Sequence, residues 1–155
     1  MKQNGLKLLG GITALMGVLL LASQAAYALE YVSVAEHSAI LYDTPTLKGK
    51  KLYVISRYSP LEKVVNLEGW IKVRDSSGSM AWIERRVVSD KRYVVVRAAL
   101  GTVRQAPEPN AAVVFQVSKN VAIESLGING GGWIKARHQD GSTGFIRSIE
   151  VWGAD

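Results

Sequence analysis

The sequence predicts an all-β chain built as two tandem copies of one small module, placed behind an export signal. Three observations carry that expectation. The chain contains an in-register internal duplication. Its polar remainder is a series of short Val-, Ile-, Tyr- and Trp-rich runs divided by turn residues, with no sustained 3.6-residue period. Its first 28 residues have the layout of a cleavable signal peptide.

The signal comes first along the chain. Lys2 and Lys7 supply a short positive region, and residues 8–22 carry no charge. That 15-residue run is shorter than the roughly 20 residues needed to span hydrocarbon. Ala26-Tyr27-Ala28 then provides a small-x-small cleavage site, so the mature chain is expected to begin at Leu29. With no Cys anywhere, lipid attachment at that site, disulfides and thiolate metal ligands are all excluded. The product is expected in the periplasm or outside the cell, without stable membrane insertion. Of 19 basic residues, all but Lys2 and Lys7 fall in the mature chain against 13 acidic ones, leaving a net +4. The excess is mild and dispersed, which is no nucleic-acid footprint.

The duplication sets the organisation. Residues 69–83 read GWIKVRDSSGSMAWI and residues 132–146 read GWIKARHQDGSTGFI, a gapless match at a spacing of 63. Upstream the spacing is 62: Tyr31-Val32 aligns with Tyr93-Val94, Pro45 with Pro107, Ser56 with Ser118 and Glu62 with Glu124. The expected units are 30–89 and 92–152, after a signal peptide over 1–28. In the first unit strands are expected over 30–35, 39–42, 51–56, 61–66, 69–73 and 79–83. Asp43-Thr44-Pro45 and Asp75-Ser76-Ser77-Gly78 mark turns between them. The second unit repeats the plan with turns at 105–110 and 138–141. Such spacing argues for a small barrel or sandwich.

Units of about 60 residues have limited cores, so large apolar rings weigh heavily in their stability. Trp70 and Trp133, each after a fixed Gly, are expected to fill part of the interior, with Trp82 and Phe145 at a second equivalent position; the competing reading makes them ligand platforms. A short linker, Ser89-Asp90-Lys91-Arg92, without Gly or Pro, implies that the two units present one composite surface.

Chemistry is sparse. The two histidines, His37 and His138, occupy unrelated positions in the repeat, and His138 lies in a polar turn beside Asp140. Asp43, Glu62 and Glu68 form no acid pair at fixed spacing. Gly130-Gly131-Gly132 has no following helix or Lys and reads as a turn, not a phosphate loop. No catalytic residue, metal site or cofactor is expected.

The ordered motifs resemble bacterial SH3-like (SH3b) domains. The second copy supplies Val103-Arg104-Gln105-Ala106-Pro107, Gly132-Trp133-Ile134-Lys135-Ala136 and Gly141-Ser142-Thr143-Gly144-Phe145-Ile146. The first supplies Leu41-Tyr42-Asp43-Thr44-Pro45, Gly69-Trp70-Ile71-Lys72-Val73 and Gly78-Ser79-Met80-Ala81-Trp82-Ile83. The resemblance implies two small SH3-like β-barrels. It also implies a non-catalytic module that binds peptidoglycan of the cell wall, the alternative being an adaptor that docks another envelope protein. Three departures stand out. Tyr42 replaces the usual Arg, Ala81 replaces a Gly, and Tyr58 and Asn120 stand where family members often carry Gly. Asn tolerates left-handed backbone and Tyr does not, so the first copy's turn is expected to differ. Residues 39–43, AILYD, also invite comparison with the aromatic strand of eukaryotic SH3 domains. The second copy has no aromatic residue there, which makes that a coincidence.

Candidate ligand residues come from comparing the copies. Core positions should match between them, whereas Tyr42 and Tyr58 align with Arg104 and Asn120. Neither ring is required by the barrel, so both are expected to be exposed contacts for a glycan or peptide. Packing of both into the interface between the units is the other reading.

Overall fold

The computed structural model describes residues 29–154; the expected signal peptide over 1–28, its cleavage site and Asp155 lie outside them. The described chain is all-β. Seven strands form the first sheet: β1 (Tyr31–Val34), β2 (Ser38–Tyr42), β3 (Lys51–Ser56), β4 (Pro60–Leu67), β5 (Trp70–Arg74), β6 (Met80–Glu84) and β7 (Val88–Ser89). Seven more form the second: β8 (Tyr93–Val96), β9 (Leu100–Arg104), β10 (Val113–Ser118), β11 (Ala122–Gly130), β12 (Trp133–Arg137), β13 (Thr143–Arg147) and β14 (Val151–Trp152). The orders are β3-β2-β6-β5-β4-β1-β7 and β10-β9-β13-β12-β11-β8-β14, so the two sheets share one topology. Every pairing is antiparallel. A 3-10 turn precedes the last strand of each sheet, at Arg85–Val87 and Ser148–Glu150. These turns and the two-residue strands after them are too short to leave a periodic signal in the sequence.

Each sheet curls around one aliphatic core. In the first copy Val32, Val34, Ala39, Leu41, Leu61, Ile71, Val73, Ala81 and Ile83 form a single buried cluster. It joins β1 to β2, which stand four positions apart in strand order. In a flat sheet that is about 19 Å, too far for contact. The second core repeats the pattern with Val94, Val96, Val103, Ile123, Ile134, Ala136 and Ile146, adding Val117 and Val151.

Neither Trp70 nor Trp133 belongs to those cores, which corrects the expectation that they fill the interior. The reason is the two-residue period of a strand. Ile71 and Val73 already point inward on β5, and Ile134 and Ala136 on β12, so each neighbouring Trp points outward. Burial is achieved there all the same: Trp133 is 7% exposed, with the Arg147 guanidinium 5.9 Å from its ring centre, and Trp70 is half-buried.

The copies differ in tightness at one glycine. A Cβ on Gly144 would lie 2.6 Å from the Arg104 carbonyl oxygen and from a Val103 methyl, so β13 approaches β9 closer than any side chain allows. Ala81, the aligned residue, sits buried in the first core.

The turn after β3 corrects a second expectation. Tyr58 has φ 68° and Asn120 has φ 67°, and the two turns are built alike. The Tyr58 N–H donates to the Val34 carbonyl at 2.9 Å, the Asn120 N–H to the Val96 carbonyl at 2.8 Å. Tyr58 therefore adopts the left-handed backbone that its side chain disfavours. The turn's own hydrogen bond holds it there, and the Tyr58 ring gains a partner outside its own sheet.

Candidate functional site

The two tyrosines singled out from the sequence occupy different places. Registers set Ser38 opposite Ser56 at one end of the β2–β3 pair and Tyr42 opposite Lys51 at the other. Four residues of strand separate those ends by about 13 Å, and Tyr58 lies beyond Ser56. One small ligand cannot touch both rings.

Tyr42 is 4% exposed, against the expectation of an exposed ring. Its ring meets Trp70 edge to face, 5.4 Å between centres at 89°, and its backbone pairs with Trp82. The three rings form a layer on the outer side of β2, β6 and β5. Lys72, directly opposite Trp82 on β5, places its ammonium 5.9 Å from the Trp82 ring centre. Trp82 is half-buried, so part of its face remains open. The second copy keeps the arrangement in register: Lys135 pairs with Phe145, an exposed Lys beside a half-buried ring. Only the Tyr42 place differs, where the Arg104 guanidinium donates to the Ala111 carbonyl at 2.8 Å and pins the following loop.

Tyr58 reaches the second unit. Its ring stacks on Tyr93, 4.4 Å between centres and 19° from parallel. The Arg57 guanidinium lies 4.9 Å from the Tyr58 ring centre and the Lys91 ammonium 5.4 Å from that of Tyr93, so cations flank a pair of rings. A second set of contacts lies nearby. Tyr31 meets Trp152 edge to face at 5.3 Å, the Arg92 guanidinium covers Tyr31 at 5.0 Å, and Arg92 donates to the Gly153 carbonyl at 3.0 Å. The short linker thus runs through a packed interface.

Beside the Tyr58–Tyr93 stack lies a cleft of about 500 Å³, lined by Tyr58, Lys91, Tyr93, residues 122–124, Arg137, His138, Gln139 and Gly141. Glu124 is its one acid. It receives two hydrogen bonds from Arg137, at 3.0 and 3.2 Å, and pairs with Lys91 at 3.4 Å. Burial pushes the Glu124 carboxyl up, but the Arg137 hydrogen bonds and the Lys91 charge outweigh it and hold the group below the ordinary carboxylate range. The Glu–Arg pair itself is a fixture of the module, since Arg74 grips Glu62 the same way at 3.0 and 3.1 Å. His138, expected in a solvated turn, is half-buried there, 3.2 Å from Asp140 and with its ring 5.3 Å from that of Phe115.

The same corner of the first copy is acidic. Asp75 aligns with His138, and accepts from the Tyr53 hydroxyl at 2.8 Å and from Ser77 at 2.6 and 2.9 Å. Partial burial pushes Asp75 up, but the Ser77 hydroxyl, Tyr53 and the N–H groups of Ser77 and Ser79 together hold it below the usual range. Burial, and then the bond to Asp75, raises the Tyr53 phenol. Among the described residues no three His, Asp or Glu side chains gather in a way that could hold a metal ion, and no helix is long and apolar enough to cross a membrane.

Comparison with known proteins agrees with the topology. A family model described as bacterial SH3 domain matches residues 35–90 and again residues 97–153. No curated protein matches the chain by sequence. Among solved structures, NlpC2 from Trichomonas vaginalis is 14% identical, with 80% of this chain and 48% of that one covered at a TM-score of 0.37. NlpC1 from the same organism is 14% identical, with 88% and 50% covered at 0.38. An NlpC/P60 family protein from Bacillus cereus is 12% identical, with 79% and 55% covered at 0.35. The chain spans about half the length of each. The repeated topology, the paired aliphatic cores and the double family match lead to one conclusion: the chain belongs to the bacterial SH3 domain family, as a tandem pair.

Proposed function

We propose that the chain is an exported, non-catalytic protein that binds the peptidoglycan of the cell wall through the outer aromatic faces of its two modules. One observation carries the reading. Lys72 beside Trp82 and Lys135 beside Phe145 recur at the same register, on surfaces that neither core uses. A half-open ring offers an apolar face to a sugar, and an adjacent ammonium pairs with carboxylates of the stem peptide. Tyr42 and Trp70 share the outer face with Trp82 in the first copy. Tyr58 contributes instead to the cleft between the modules.

Sedimentation with purified sacculi tests this. Trp82→Ala with Phe145→Ala, and separately the charge reversals Lys72→Glu with Lys135→Glu, should each release the chain into the supernatant. The reversals alter exposed or half-exposed ends and leave the core intact, so folding does not confound them. Undiminished sedimentation of both double variants rejects the aromatic faces. A chain that never sediments favours the second reading, an adaptor for another envelope protein. That reading has its own support in the two edge strands: β3 exposes Leu52 and Val54, and β10 exposes Val113 and Val114. An unpaired edge of this kind can accept a strand from a partner.

A further inference from the structure

The cleft between the modules carries a charge that the fold does not require. A module of this kind needs the Glu–Arg pair, present as Glu62–Arg74 and Glu124–Arg137. Three residues differ around the second pair, one of them Asp140, 3.2 Å from His138, where the first copy has Ser77. Lys91 stands where the first copy has Leu29, and His138 stands where it has Asp75. The corresponding corner of the first copy therefore holds Glu62, Arg74 and Asp75, an acidic balance. The lining of the cleft holds Glu124 against Lys91 and Arg137, a basic balance with His138 neutral, and Asp140 beside His138 brings the wider corner to neutral.

Both permanent cations keep capacity for another partner. Arg137 uses two of its five N–H groups on Glu124, and Lys91, hydrogen-bonded to the Tyr93 hydroxyl, makes one long contact of 3.4 Å to Glu124. Their side chains remain 43% and 55% exposed. A second anion can meet them without displacing Glu124. The cleft is also lined by the stacked rings of Tyr58 and Tyr93. The open cleft, about 500 Å³, has the size of a small-molecule site.

We propose that this cleft is a second binding site, distinct from the outer aromatic faces, for a small organic carboxylate of the size of a dipeptide. The carboxylate sits between Lys91 and Arg137, and the body of the ligand lies along the edges of the Tyr58–Tyr93 stack. The acidic corner of the first copy repels the same ligand, so the pair has one such site.

The test is an amide-resolved NMR titration of the mature chain with N-acetyl-alanyl-glutamate and, in parallel, with its diamide. The acid should shift the amides of residues 91–93, 122–124 and 137–141, and the diamide should bind at least about tenfold more weakly, as expected for a lost charge-assisted hydrogen bond. Lys91→Gln should weaken the acid by about the same factor while leaving the remaining spectrum in place. Equal binding of acid and diamide, unchanged affinity in Lys91→Gln, or no shift in the cleft at millimolar ligand each overturns the proposal. Shifts confined to the strands bearing Trp82 and Phe145 overturn it while sparing the wall reading. Undiminished sacculus binding in the aromatic variants, with the cleft titration intact, does the reverse.

Discussion

Replacing Tyr58 by Asn sets two contributions of opposite sign against each other. The backbone at φ 68° costs a residue with a Cβ on the order of 1–2 kcal/mol, and Asn reaches that region with less penalty. Asn120 occupies the identical turn at φ 67°, so the substitution introduces no new geometry. The backbone should therefore gain about 1 kcal/mol. Against this, the stack on Tyr93 is worth about 0.5–1.5 kcal/mol. The Arg57 contact adds about 0.5–1 kcal/mol. The sum runs from neutral to a loss of about 1.5 kcal/mol. The assay is the urea midpoint of the mature chain, measured alongside the reciprocal change Asn120→Tyr. That variant acquires the strain without the Tyr93 stack and should lose about 1 kcal/mol. A loss above about 3 kcal/mol for Tyr58→Asn would give the ring a weight that only a core residue has. An unaffected Asn120→Tyr would show that the position imposes no strain. Either result refutes the reasoning.

The cores make a ranking prediction. Ile71→Ala and Ile134→Ala, at fully buried sites, should each cost about 2–5 kcal/mol, and Trp70→Ala less than either, by denaturant melts of the same chain. Acid should destabilise the protein through Asp75 and Glu124. Both are depressed in the fold, so their contribution is complete above the unfolded carboxylate range near pH 4 and is lost as pH falls through the lower folded values. The urea midpoint should hold from neutral pH down to about 5, drop below about 4, and drop less steeply in Asp75→Asn; a midpoint insensitive to acid contradicts the assigned bonds.

The fold was largely legible because strand alternation and duplication act locally. The six longer strands of the first copy stand within about two residues of their expected limits. The tryptophans were misplaced because ring size was weighed above period: Ile71 and Ile134 follow them directly, and two adjacent strand residues cannot both face inward. The left-handed Tyr58 was illegible for another reason. Local preference argues against it, and its compensation comes from Tyr93, in the next module. The cleft is likewise assembled from a turn, a linker and a distant hairpin. One trace of it was available in the sequence, in the exchange of Leu29 for Lys91 and of Asp75 for His138 between copies.

Two like faces on a chain with a three-residue connection between β7 and β8, clamped by stacked rings, have consequences for avidity. On a flexible tether, the second face would search a volume and engage many spacings at modest effective concentration. A clamped pair has one spacing. It gains the full bivalent advantage on a polymer whose repeat matches that spacing, and none on a fragment too short to reach both faces. Under the proposed wall-binding function, such a pair would discriminate an intact, ordered network from its soluble breakdown products even though each single contact is the same on both.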